Sequence, residues 1–326
     1  MDALARARRL ADEVLFPAAL ATDESDVVPV ELLDRLAAAG LYGLAAPVEA
    51  GGLAADFATT CAVVEALAGG CLTTAFVWAQ HLGAVHAVAT SDRAELRAAW
   101  LEPLARGEAR SGLALGGTAP RPTLHARRDG DAWRLDGDSP WVSGWGRIDV
   151  LHAAARDEHG AVIWFLVDAR EAPGLSVERI RLAALNATAT VRARFEGLLV
   201  DDARVTASYP FVGGPTPYEV LRIHASFALG VANRCLALIG PSPLAEELAS
   251  VRAALDAADT ETVAAPRAAA AELAVRAAAA LAVTRGARSV VRSDQAQRLA
   301  REALFVLVYA LQPPVRSALL GLLRAD

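Results

Sequence analysis

The chain has 326 residues, a formal net charge of −6, 54% hydrophobic and 21% charged residues. It is too apolar for a disordered chain and long enough for two or three domains around a large core. With acidic residues in excess and no basic block, it is a poor fit to nucleic-acid binding, which needs clustered cations against phosphates. Alanine fills 75 positions, lysine none, and Met1 is the only methionine.

Residues 1–110 read as helices. One helix is expected from about Asp2 to Leu20. A second runs Glu31–Ala39, with Leu32, Leu33, Leu36 and Ala39 at helical spacing and Gly40 as its stop. Gly51-Gly52 marks a loop. Helices then follow over about 55–68 and 73–90, with Gly69-Gly70 as the break and Thr73 as an N-cap, and a last one covers Asp92–Leu104. Ala58–Thr90 carries one charge, Glu65, but its glycine pair and scattered Thr, Gln and His residues fit buried helices of a core better than a membrane span. The charged N-terminus does not resemble a signal peptide, so a cytoplasmic location is expected.

Residues 111–212 change character. Thr123–Arg128 and Ala132–Leu135 flank Asp129-Gly130, a hairpin signal. Val150–Arg156 and Ala161–Val167 flank a second turn at 157–160, and Ser176–Ala184 with Thr188–Phe195 extend the meander. This predicts an antiparallel β domain. No G-x-G-x-x-G follows a strand and no P-loop is present. Residues 213–326 return to helix: Tyr218–Ile239, Leu244–Ala258, 266–284 with Pro266 in its first turn, Asp294–Leu311 and Pro314–Leu323. The expected fold is therefore α+β and multidomain: an N-terminal helical domain, a central antiparallel β domain and a C-terminal helical bundle. The apolar runs Ala303–Leu311 and Ala318–Leu323 suit subunit interfaces or intrachain packing.

Side chains that could carry chemistry are sparse. Cys61, Cys71 and Cys235 have no metal-site spacing and sit in apolar stretches, as small core residues do. His81 and His86 are five apart on an apolar helix, the wrong spacing for one face, and the other histidines are scattered, so no metal is expected. Ser139 and Ser143 have no G-x-S-x-G setting.

Four segments in this α–β–α order resemble the acyl-CoA dehydrogenase family: Leu36–Gly52 (LAAAGLYGLAAPVEAGG), Leu104–Leu115 (LARGEARSGLAL), Trp133–Asp149 (WRLDGDSPWVSGWGRID) and, more weakly, Arg222–Gly230. The third is the most specific, since the family's flavin-contacting segment has a strand, an Asn-Gly or Asp-Gly turn and then Trp-x-Thr/Ser. The resemblance implies FAD as cofactor and an acyl-CoA or related thioester as substrate. It also implies homo- or hetero-oligomers with similar subunits. Trp141 would wall one face of the flavin, the Ser143 hydroxyl would bond to N5, and backbone N–H groups of Leu115, Gly116 and Gly117 would face the pyrimidine side.

The chain also departs from the family, and its C-terminal part is shortened. Leu115–Pro120 replaces the Thr-Glu-Pro and Gly-Ser-Asp loop. The Arg-x-x-Phe-Gly and Gln-x-x-Gly-Gly stretches that reach the adenosine half of FAD are missing. TRGARSVV stands near the second, with Arg285 and Arg288 expected in solvent. A Tyr-Glu-Gly stretch near the C-terminus, which supplies the catalytic base in many members, is not apparent. Glu302, flanked by Arg298 and Arg301, reads as a surface ion pair. Glu219 is a candidate base, but Glu219-Val220-Leu221-Arg222 is out of register with members that place a Glu just before an Arg. Three readings follow: an acyl-CoA dehydrogenase oxidising C2–C3 of a thioester, a non-catalytic or half-site subunit of a heteromeric complex, and a flavin-dependent monooxygenase of the same fold.

Overall fold

The computed structural model describes residues 2–324. The first rod is continuous but not one α-helix: α1 (Ala3–Leu10) passes through a π-helical stretch (Ala11–Leu15) into α2 (Phe16–Glu24). Asp2 caps it by accepting the Ala5 N–H at 2.7 Å. The widened turn lies just ahead of Pro17, whose ring would meet the Glu13 carbonyl in an unbroken α-helix. Next come α3 (Val30–Ala38), α4 (Phe57–Gly70), α5 (Leu72–Ala79), α6 (Leu82–Ala89) and α7 (Ala94–Arg106).

Two expectations about the apolar stretch change. The glycine pair does not break the helix: α4 runs through it and stops at Cys71, which has φ −153°. Its glycines allow close contact instead. A Cβ on Gly70 would sit 2.8 Å from the Ala11 backbone, and Gly69 faces Gly230 of α8 (Tyr218–Ile239). Thr73 is buried inside α5 rather than capping it. The expected 73–90 helix is two helices, parted at Gln80-His81. His81 is taken up by the fold there. Its Nδ1 accepts the Ser111 N–H at 3.0 Å, so Nε2 carries the proton and donates to the Leu104 carbonyl at 3.0 Å.

The strands are β1 (Ser111–Ala114), β2 (Leu124–Asp129), β3 (Ala132–Val142), β4 (Val150–Arg156), β5 (Ala161–Asp168), β6 (Leu175–Arg179), β7 (Val191–Asp201) and β8 (Val205–Pro210). Their order is β6-β7-β3-β2-β4-β5-β8, with β1 beside β4. The hairpins β2/β3 and β4/β5 fall where the Asp-Gly and 157–160 turns place them. The sheet is antiparallel except for the parallel β1/β4 pair and a single parallel bridge, His125 to Arg156, so it is mixed.

The remaining helices are α9 (Leu244–Asp256), α10 (Ala264–Arg285), α11 (Gln295–Val308) and α12 (Pro313–Arg324). The two helical zones, far apart in sequence, share one apolar core that includes Leu33, Trp78, Phe227 and Leu273. The sheet has its own core around Leu135, Phe165 and Phe195. A smaller one joins α6 and α7 to the sheet through Val85, Leu104, Val150 and Leu166. Alanine abundance has a structural use: α10 buries Ala268, Ala271, Ala274 and Ala278, and such short side chains let helix axes approach. All three cysteines are buried and free. Among the described residues no helix is long and apolar enough to cross a membrane.

The tightest helix contact is testable. A Cβ on Gly230 would lie 2.4 Å from the Glu65 carbonyl oxygen of α4, a backbone atom that cannot rotate away. Gly230→Ala should lower stability by about 2–3 kcal/mol, read by urea denaturation.

Candidate functional site

The site is built on a bulge. Along β3 and β7, Ser139 pairs with Ala193 and Val142 with Val191, so β3 carries one extra residue across Pro140-Trp141. Pro140 has no N–H to lose, and Trp141 adopts a left-handed φ of 64°. Val142 on one side and Ser139 on the other are buried, while Trp141 stays 65% exposed. A bulky aromatic held at positive φ with its ring in solvent is strained and costs stability, a pattern that marks functional positions.

Ser143 follows, 5% exposed. Its hydroxyl lies 2.8 Å from the Thr190 hydroxyl, which lies 2.8 Å from that of Thr188. Thr188 donates to the Leu185 carbonyl at 2.7 Å. These threonines sit in the connection from β6 to β7, where Leu185 and Ala189 are both left-handed, with φ of 58° and 50°. The connection is held from outside. Gly144 N–H donates to the Thr188 carbonyl at 2.6 Å and Val28 N–H to the Ala187 carbonyl at 2.8 Å.

The Leu115–Gly117 loop packs beside the bulge. A Cβ on Gly116 would meet the Asp138 carbonyl oxygen at 2.6 Å, and one on Gly117 the Ala155 backbone at 2.6 Å. Both glycines are thus needed for packing. The Gly117 N–H, expected to face a ligand, donates to the Ala154 carbonyl at 2.8 Å. Arg156 braces the loop through the Gly117 and Ala119 carbonyls. Leu115, half exposed, remains at the loop's edge.

A family model for the acyl-CoA dehydrogenase N-terminal domain matches residues 2–108. Among known relatives, the 3-sulfinopropanoyl-CoA desulfinase of Paraburkholderia xenovorans is 29% identical over 247 residues, covering 70% of this chain and 62% of that protein. Human mitochondrial short-chain specific acyl-CoA dehydrogenase is 24% identical over 247 residues, covering 70% and 59%. The solved glutaryl-coenzyme A dehydrogenase with glutaryl-CoA superposes with a TM-score of 0.86 at 18% identity, over 98% of this chain and 93% of that one. The first third of the chain thus matches the acyl-CoA dehydrogenase N-terminal domain, and the whole has the fold of the solved acyl-CoA dehydrogenases. The chain spans about three fifths of the length of the relatives it matches in sequence. The glutaryl-CoA dehydrogenase of Mycobacterium smegmatis, solved in complex with FADH2, superposes with a TM-score of 0.80 at 20% identity, over 98% of this chain and 94% of that one.

A planar ring such as a flavin would fit against Trp141 and Ser143. The indole offers an exposed flat face, and two residues on stands a buried hydroxyl held by Thr190. Carboxylates are placed differently from the sequence reading. Glu302 is no surface ion pair: it and Arg298 are 3% and 1% exposed and bonded to each other. Spacing of four on a helix looks the same on either face, which hid this. Glu302 also accepts the Leu72 N–H at 3.2 Å and so caps α5 across the core. Arg301 turns instead to Asp23 and to the Ala183 carbonyl. Burial raises the Glu302 carboxyl above the usual carboxylate range, while Arg298 opposes that shift. Glu219 lies exposed in the first turn of α8. Between α11 and α12 the chain reads Tyr309-Ala310-Leu311-Gln312, with Ala310 at a left-handed φ of 49° and no carboxylate in the turn. Arg285 and Arg288 are both exposed, and Arg285 pairs there with Asp294, the N-cap of α11.

No group of His, Cys, Asp and Glu among the described residues could hold a metal. Burial instead holds three histidines neutral. It pushes His81 down to about 4 and His152 and His224 to about 3, from an ordinary 6.5. A folded value below the unfolded one means stability is present above pH 6.5 and lost as pH falls. Denaturant midpoints measured against pH should drop between pH 6.5 and 4, with about 3 kcal/mol lost through His81 alone. A flat profile would contradict this. Glu302→Gln should cost about 3–5 kcal/mol by leaving Arg298 buried without its counter-charge, and a Glu302→Leu/Arg298→Met pair should recover most of that.

Proposed function

We propose that this chain is a flavin-holding oxidoreductase subunit of the acyl-CoA dehydrogenase type acting on an acyl thioester. We further propose that the carboxylate removing the C2 proton comes from a partner chain of the same fold. The carrying observation is Trp141, exposed on a strained bulge two residues before a hydroxyl wired into the sheet. That pairing of a free aromatic face with an oriented hydroxyl suits a planar redox ring. When bound, the flavin supplies a hydride acceptor.

The chain's own residues then have simple tasks. Trp141 stacks on the ring and shields it from water. Ser143 orients the ring edge from a position fixed by Thr190. Leu115 covers the ring's side at the loop. The thioester reading is supported by the relatives' own substrates, glutaryl-CoA and 3-sulfinopropanoyl-CoA among them.

A specific observation favours the partner. Glu302 is spent on Arg298 and the α5 terminus, and Glu219 lies exposed at the head of α8. Exposed Leu304 and Val308 on α11 give such a partner an apolar surface.

The test is spectroscopic and kinetic. The purified chain, mixed with FAD, should show perturbed flavin bands, and Trp141→Ala should weaken binding about tenfold through lost stacking. Alone it should not reduce an artificial electron acceptor with acyl-CoA, and co-expression with a neighbouring family member should restore turnover. Failure to bind flavin in either setting would sink the proposal. Turnover by the lone chain, abolished in Glu219→Gln, would remove the partner and make Glu219 the base. Oxygen consumption by the reduced protein without acyl-CoA oxidation would indicate a monooxygenase.

A further inference from the structure

The hydroxyl chain beneath the ring site has a direction. Each threonine or serine hydroxyl carries a single hydrogen and can accept more than one. Thr188 spends its hydrogen on the Leu185 carbonyl at 2.7 Å. Thr190, 2.8 Å away, must therefore donate to Thr188, since Thr188 has nothing left to give. Ser143, 2.8 Å from Thr190, must in turn donate to Thr190. The carbonyl at the far end cannot reverse, because a carbonyl only accepts. Direction thus propagates from a backbone oxygen to Ser143, and all three hydroxyl residues are buried, so water does not compete.

We infer that Thr188 and Thr190 are positioning residues that make Ser143 an acceptor and not a donor toward the ring nitrogen it faces, and so bias the site toward reduced flavin. The inference rests on the flavin reading above. In oxidised flavin N5 has a lone pair and accepts; in the two-electron reduced form it bears a hydrogen and donates. A Ser143 oxygen that can only accept is matched to the second state and opposed to the first. Preferential binding of the reduced form raises the potential of the bound cofactor by linkage. The relay forms and breaks no covalent bond and moves no electrons.

The relay is set by residues that do not touch the ring. Leu185, which supplies the terminal carbonyl, is itself left-handed, and Gly144 N–H holds the Thr188 carbonyl. The backbone that fixes the direction is therefore tied directly to the residue after Ser143.

Thr190→Val keeps shape and removes the acceptor, which releases the Ser143 hydrogen to point at the ring. Thr188→Val frees the Thr190 hydrogen to turn toward Ser143, with the same consequence. Thr190→Ser keeps the hydroxyl. The experiment measures the midpoint potential of bound FAD by dye-coupled reductive titration, together with dissociation constants for oxidised and dithionite-reduced FAD. Both valine variants should lower the preference for reduced over oxidised FAD about tenfold, about 30 mV for a two-electron couple. Thr190→Ser should match the wild type. Should Thr190→Val fail to fold, Thr188→Val carries the test. Unchanged potentials in the valine variants, or a serine variant that shifts as far as valine, would overturn the relay and leave the flavin reading standing. A wild-type chain that binds FAD in neither state overturns both.

Discussion

The connection from β6 to β7 is the point on which the three zones of this chain depend. It holds two non-glycine residues in the left-handed region, Leu185 and Ala189, each costing roughly 1–2 kcal/mol. Left to itself such a segment would relax. It is kept by bonds from every side. Val28, just before α3, donates to Ala187, and Gly144 of the ring-site loop donates to Thr188. Arg179 bridges the Asp26 and Asn186 carbonyls at 2.6 and 2.7 Å. Arg301 of α11 reaches the Ala183 carbonyl at 3.2 Å. Each bond contributes roughly 1 kcal/mol, more where the donor is charged, so together they offset the strain. The N-terminal helices, the sheet and the C-terminal bundle are thus pinned to one short stretch, and the stretch carries the hydroxyls under Ser143.

Arginine does most of this pinning, which gives the missing lysine a structural meaning. A guanidinium has a planar fork of donors and is more weakly hydrated than an ammonium, so it can be buried against backbone carbonyls. Arg234 donates to the Gly69 carbonyl at 2.6 Å while pairing with Asp12. Arg147 donates to the Val28 carbonyl at 2.7 Å. Arg267, fully buried, donates to the Val306 and Tyr309 carbonyls at the end of α11, where the helix dipole favours a cation. In each case one side chain satisfies acceptors that a helix end or loop leaves open. A lysine would supply the charge without the fork.

The features legible in the sequence were those with a local cause. Helices in the end zones follow from apolar spacing, and the β2/β3 hairpin from Asp129-Gly130. Trp141 and Ser143 stood out because a Trp-x-Ser after an Asp-Gly turn is a short pattern. What stayed hidden depends on partners distant in the chain. Gly69-Gly70 reads as a break because glycine weakens helices, yet Gly230 lies opposite and uses the space. Glu302 reads as solvated because nothing near it in sequence reveals that the Leu72 N–H lies across the core. The parallel β1/β4 pair leaves no trace in either strand. The Thr188–Thr190 chain looks like ordinary alternation in a strand, and only the Leu185 carbonyl gives it direction.

These dependencies separate two parts of the site by what each is worth to the fold. The proposed ring wall is built into the sheet: the β3 bulge, the Gly116 and Gly117 contacts and the hydroxyl chain all serve packing or backbone satisfaction. Altering any of them would disturb the sheet core. The two carboxylates singled out in the sequence share none of this. Glu302 is bound to Arg298 and the Leu72 N–H inside the helical core, and Glu219 stands exposed at the head of α8. The bulge and its hydroxyl chain are therefore held by the stability of the sheet, whereas neither carboxylate is tied to them, and the two kinds of group are free to change separately.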